Sequence, residues 1–218
     1  MNTGDTKVLA DTRDNQLYTV SKLADGRVWM LDNLALGSTS TMTLTNSDTN
    51  ITASSWTLPA SISSGFSSYT AAQINIDSKY VVPTPTYGTA SNRVGVYYNY
   101  CAASAGGICT SSNSSNGSAN RDICPKGWRL PTGGSSGEFQ TLYNAYGNHT
   151  DFTTALSTSL SGSFSSGSAD YQGSYGYWWS STRYDNTRMY NFLVYASDVN
   201  PQNGSTRNSG FSIRCILK

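Results

Sequence analysis

The sequence predicts an α+β fold of short antiparallel sheets, one or two helices and long irregular loops. Three observations predict it. Two alternating stretches, Gln16–Leu23 and Arg27–Leu31, flank Ala24-Asp25-Gly26, a hairpin signal whose glycine tolerates positive φ. Phe139, Leu142, Tyr143 and Tyr146 fall at i, i+3, i+4 and i+7, which makes one apolar helical face. Elsewhere Ser, Thr, Asn and Gly dominate, broken by single Trp, Phe and Leu residues that flexible linkers rarely carry. The length of 218 residues suits one large domain or two small ones.

Taken in order, Asp11-Thr12-Arg13-Asp14 reads as a turn, and the hairpin follows with Trp29 as a core residue. Gly37 to Ser68 lacks a clear period and reads as an ordered excursion pinned by Trp56, Leu58, Ile62 and Phe66. Tyr69–Ile74 suggests a short helix, Pro83 and Pro85 break regular structure, and Val94–Tyr100 reads as a strand. Ala102–Asn120 is rich in Gly, Ser and Asn and reads as surface loop. Gly133-Gly134 forms a turn before the helix, and Gly147 stops it. Near the end, Met189–Tyr195 alternates. Tyr190, Phe192 and Val194 are expected inward, with Asn191 and Tyr195 outward. Ala196–Ser209 reads as a long loop, and Phe211, Ile213, Cys215 and Leu217 form a second inward set.

Charged residues make up 12% of the chain and the net charge is +1, so there is no basic field for nucleic acid. No run is long and apolar enough to predict membrane insertion. Met1–Thr6 lacks the basic and apolar regions of a secretory signal. Cys101, Cys109, Cys124 and Cys215 allow three pairings. We favour Cys101–Cys109, closing a Gly-rich loop, and Cys124–Cys215, tying the middle to the end; buried free thiols are the alternative. Disulfides would imply an oxidising compartment.

The most specific string is Asp122-Ile-Cys-Pro-Lys-Gly-Trp-Arg-Leu-Pro-Thr132. With Tyr177-Trp-Trp-Ser-Ser-Thr182, Gly210-Phe-Ser-Ile-Arg-Cys215, Gly26-Arg-Val-Trp-Met-Leu-Asp-Asn-Leu34 and Tyr97-Tyr-Asn-Tyr100, it resembles the Fibrobacter succinogenes major paralogous domain. The resemblance covers most of the chain and implies a single domain over 1–218, in which about 37–80 is an insertion beyond the family core. It implies a bacterial extracytoplasmic domain with a C-type-lectin-like fold, a Cys124–Cys215 bond and a structural role for Arg214. Such folds also carry variable proteins diversified by retroelements, in which mutable positions lie near the C-terminus. Arg183–Asn208 resembles such a region in place and residue mix.

That stretch holds the candidate site: Arg183, Tyr184, Asp185, Asn186, Arg188, Asn191, Tyr195, Asp198, Asn203, Arg207 and Asn208. Tyr supplies rigid amphipathic area and the small polar residues supply hydrogen bonds, a mix suited to an unidentified protein or glycan at a cell surface. A structural module of a surface or pilus-like assembly is the alternative from another class. Catalysis is not expected. The single histidine, His149, lies in what reads as a Gly-Asn-His-Thr-Asp loop, and no nucleophile–base spacing stands out. No cofactor motif appears. The lectin-like resemblance invites a structural calcium, but no Glu-Pro-Asn or Gln-Pro-Asp string locates one, and Asn200-Pro201-Gln202 reads as a turn.

Overall fold

A computed structural model describes residues 1–37, 40–62, 66, 69–75, 95–112 and 117–218. The chain opens with β1 (Thr6–Ala10), β2 (Leu17–Lys22) and β3 (Val28–Met30). The predicted hairpin is β2–β3, with Val20 opposite Met30 and Gly26 at φ +80° in the turn. The polar excursion carries β4 (Met42–Thr45), β5 (Thr49–Asn50) and β6 (Ser55–Leu58), with Leu58 and Phe66 buried and Trp56 and Ile62 half-buried.

Two expectations in the next part of the chain need correction. Tyr69–Ile74 is not helical: its end joins β7 (Gln73–Asn75), which pairs with β8 (Val96–Tyr98), and Ile74 is buried among aromatics. The predicted surface loop begins as a buried helical turn, α1 (Tyr100–Ala103), capped by the Asn99 side chain. Ala102, Ala103, Ala105 and Ile108 are all core, because small residues let this turn pack closely against the sheet beside it. Pro83 and Pro85 lie outside the described residues.

Next come β9 (Asp122–Pro125), β10 (Trp128–Arg129), α2 (Glu138–Tyr146) and α3 (His149–Ala155). Helix α2 matches its predicted apolar face, with Phe139 and Leu142 fully buried. It ends at Gly147, at φ +72°, whose N–H bonds Tyr143 O. Helix α3 replaces the expected loop around His149. Asn148 caps it by accepting from the Asp151 N–H, and Phe152 anchors it in the core.

The chain closes with β11 (Ser163–Ser165), β12 (Ser168–Asp170), β13 (Tyr175–Arg183), β14 (Arg188–Tyr195), β15 (Val199–Thr206) and β16 (Ile216–Leu217). The described residues thus form a mixed α+β structure of mostly short antiparallel sheets with three helices. The largest sheet runs β1-β2-β3-β16-β10, and a second runs β13-β14-β15. Residues 210–217 stitch the parts together: Phe211 bridges Tyr98, Ser212 bridges Trp178, and Ile216 pairs with both Trp29 and Arg129.

Successive side chains of a strand point to opposite faces, and β13 uses both. Trp179 enters a core with Tyr98, Tyr100, Leu130, Phe211 and Cys215. Trp178 enters another with Trp29, Phe139, Phe152, Phe192 and Ile216. The β13–β15 sheet is therefore covered on both sides over its middle. Cys124–Cys215 and Cys101–Cys109 are both disulfide-bonded, as favoured from the sequence. Two disulfides point to an oxidising, extracytoplasmic setting. No helix among the described residues is long and apolar enough to cross a membrane.

The motif residues account for themselves physically. Asp122 accepts from the N–H groups of Cys124 and Leu130 and from Asn50. Gly127, at φ +85°, turns β9 into β10. Arg129 grips Glu138 with both terminal nitrogens, joining β10 to α2. Pro131 O accepts from Ser181 N–H, joining the same loop to β13. Asn33 saturates its amide: Oδ1 accepts from Trp178 Nε1 and Arg214 Nε, and Nδ2 donates to Ser159 and Ser212.

Candidate ligand-binding face

The predicted site residues divide into four groups. The first is the β13–β14 turn and the sheet face next to it. Asp185 organises the turn: its carboxylate accepts from Thr187 N–H, Arg188 N–H and Arg188 Nε, which holds its pKa well below the ordinary aspartate value. Arg188 also stacks on Tyr184, with its guanidinium carbon 4.3 Å from the ring centroid. Tyr184 meets Tyr190 edge-on at 4.7 Å. Arg183 donates to Asp185 O and to the Asn186 side chain. Tyr184 remains 40% exposed, which leaves much of this stack open to solvent.

Glycines make that stack possible. Tyr190 lies directly across from Gly204 on β15, and the Tyr184 ring lies over Gly204. A Cβ there would come within 2.6 Å of the ring. At Gly133 a Cβ would meet Tyr190 Cβ at 2.5 Å and Ser180 Oγ at 2.6 Å. The face continues to Gln202, whose amide donates to Gln140 of α2.

A second group is buried and corrects the prediction. Asn191 is fully buried, because β14 is the central strand of its sheet and both of its faces are covered. Its amide donates to Ser205 Oγ and its oxygen accepts from Asn203, so it is a cross-strand hydrogen-bonding residue. Asn203 is thereby turned to Asn191. Arg207 is 1% exposed and donates to Thr110 O and Asn186 O. Burial lowers its pKa. It pins the β13–β14 turn to the chain beside Cys109 and is not part of an open surface. Arg214 is buried too, and its guanidinium bonds Asn33 and the carbonyls of Leu156 and Ser157. Burial pushes its pKa down to about 10, with Asp32 acting in the opposite direction.

The third group lies at the far end of β14, about 23 Å away at strand rise, and includes Tyr195 and Asp198. Alternation puts Tyr195 on the opposite face from Tyr190. It sits edge-on to Tyr175 at 5.2 Å, within a cluster that adds Tyr171 and Tyr177. Tyr177 has its pKa pushed up to about 12, by burial and then by the neighbouring tyrosines. Asp198 is exposed and accepts from Val199 N–H in a tight turn. That turn is all that remains of the expected loop: most of Ala196–Ser209 is strand β15. Pro201 fits there because β15 is an edge strand and its pairing with β14 slips between Asn191 and Leu193. The fourth group is Asn208 alone, half-buried in the turn after β15.

Tyr190 and Gly204 belong to the open face although alternation assigned Tyr190 to the core. The signal available was the Gly133-Gly134 pair, which leaves room for a ring rather than filling the space. His149 bonds Tyr195 O through Nε2, which ties α3 to the end of β14. Among the described residues, no group of three or more His, Cys, Asp or Glu side chains gathers to hold a metal ion.

No family model, curated protein or solved structure matches this chain. Its surface chemistry therefore carries the functional reading.

Proposed function

We propose that the chain is an exported, non-catalytic recognition domain of C-type-lectin-like fold, displayed outside a bacterial cell and binding a protein or glycan. The contact surface is the Tyr184–Arg188–Tyr190 stack with Arg183, Asn186 and Gln202. One observation carries this reading: a half-open aromatic–guanidinium stack, seated on Gly204 and locked by Asp185, with its rings already in place. A surface held in its bound shape loses little side-chain entropy on binding. Tyr and Arg are also the types that dominate binding energy at interfaces. The non-catalytic reading is supported by the employment of the single histidine on a backbone carbonyl and of all four cysteines in disulfides.

The test is a screen of immobilised glycans and purified cell-surface proteins with the unaltered protein and a Tyr184→Ala/Arg188→Ala variant. The variant is expected to lose at least about tenfold in affinity, roughly 1.4 kcal/mol. Equal binding by both proteins would remove this face. A Tyr171→Ala/Tyr195→Ala variant, altered at the far tyrosine cluster, is expected to bind normally.

A further inference from the structure

Strand β1 is the outer edge of the five-stranded sheet, and all five of its residues are exposed. Its hydrogen-bonding phase follows from its flanks. Lys22 N–H donates to Asp5 O, and Asp11 N–H donates to Gln16 O. An antiparallel ladder alternates, so Lys7 and Leu9 turn their backbone groups towards β2. Leu31 N–H donating to Thr19 O fixes the same phase from the other side of β2. Thr6, Val8 and Ala10 therefore turn N–H and C=O away from the sheet, as an open ladder. Val8 and Leu17 are 62% and 60% exposed beside it.

Next to this edge is a cavity of about 260 Å³, lined by Leu9, Tyr18, Val20, Met30, Lys126 and Trp128 among others. Leu9 lies opposite Tyr18, and Val20 opposite both Lys7 and Met30, so Lys7 and Leu9 share the cavity's face of the sheet. The carboxylates that border the cavity are engaged: Asp11 pairs with Arg13 at 2.6 Å, and Asp48 accepts from Thr45. Lys7 and Lys126 make no ion pair among the described residues.

We propose that β1 accepts an extended peptide of another polypeptide as a sixth strand. The added strand bonds Thr6, Val8 and Ala10 through its main chain. An apolar side chain opposite Leu9 enters the cavity, and acidic residues two positions away on the same face meet Lys7 and Lys126. Main-chain bonds give such a site its affinity and the cavity gives its selectivity. This site is independent of the Tyr184 face.

The probe is a fluorescein-labelled nine-residue peptide, Thr-Thr-Asp-Thr-Leu-Thr-Asp-Thr-Thr, followed by anisotropy. Val8→Pro removes an outward N–H and leaves the β1–β2 ladder intact, a position where edge strands tolerate proline. Thr6→Pro does the same one pair away and serves if the first variant folds poorly. Saturable binding is expected, weakened at least about tenfold by either proline, with an unchanged urea midpoint. Hydrogen exchange at Thr6, Val8 and Ala10 should slow when the peptide is bound. No saturation by about 1 mM peptide, or equal binding by the proline variants, would overturn the proposal. So would a dimer of the unaltered protein that Val8→Pro dissociates in sedimentation, since a second copy would then own the edge.

Discussion

Asn33 shows how one polar residue can hold a core together. Its side-chain amide joins Trp178 of β13, Arg214 and Ser212 of the closing segment, and Ser159. Truncating it strands the buried Trp178 N–H and leaves the Arg214 guanidinium short of a partner. Asn33→Ala is expected to cost about 2–4 kcal/mol in urea unfolding. Glu138 makes a pH-dependent counterpart. Burial raises its pKa, but Arg129, the Thr132 N–H and Arg27 outweigh it, and the net shift is downward. A carboxylate with a depressed folded pKa stabilises fully above its unfolded value, about 4.3, and loses that contribution as pH falls through the folded value. The stability gap between the unaltered protein and Glu138→Gln should be widest above about pH 5 and shrink towards pH 3, read as denaturation midpoints across that range.

At the scale of elements, one buried face or a clear turn signal makes a pattern legible. Helix α2 buries a single face, through Phe139 and Leu142, and the β2–β3 hairpin is marked by Gly26 in its turn, although β3 sends Met30 into one core and Trp29 into the other. β14 has neither mark, because two cores flank it and alternation no longer separates inside from outside. Asn191 thus read as exposed although Ser205 and Asn203 satisfy it within the sheet. β15 was illegible for another reason. Val-Asn-Pro-Gln-Asn-Gly-Ser-Thr has turn composition and is a strand only through its pairing with β14. The candidate site was legible as a stretch of chain but not as a surface, since which of its polar residues face out depends on that pairing. Gly204 offers the matching test. Gly204→Ala should displace the Tyr184 ring, detectable in its NMR chemical shifts, and weaken ligand binding while leaving the buried Trp178 and Trp179 fluorescence unchanged.

For the whole molecule, the two disulfides have unequal weight. Cys124–Cys215 spans 91 residues and Cys101–Cys109 spans 8. Chain-entropy reasoning assigns them about 4–5 and 2–3 kcal/mol. Cys124→Ala/Cys215→Ala should lower stability by the larger amount in chemical denaturation, and mass analysis without reductant should find no free thiol in the unaltered protein. The smaller bond acts on the proposed binding face: Cys109 precedes Thr110, whose carbonyl holds Arg207, which in turn holds Asn186. The closing segment, residues 210–217, also imposes an order in time. It bonds to β3, β8, β10 and β13, all of which are synthesised before it. A chain emerging from a ribosome or an export channel can close the Cys101–Cys109 ring early. Cys124, however, must wait unpartnered until Cys215 arrives, with both cores open in the meantime. If that ring is still open when Cys124 emerges, an oxidising folding compartment would trap Cys124 on Cys101 or Cys109. Faithful maturation therefore depends on α1 forming soon enough to bring Cys101 and Cys109 together first.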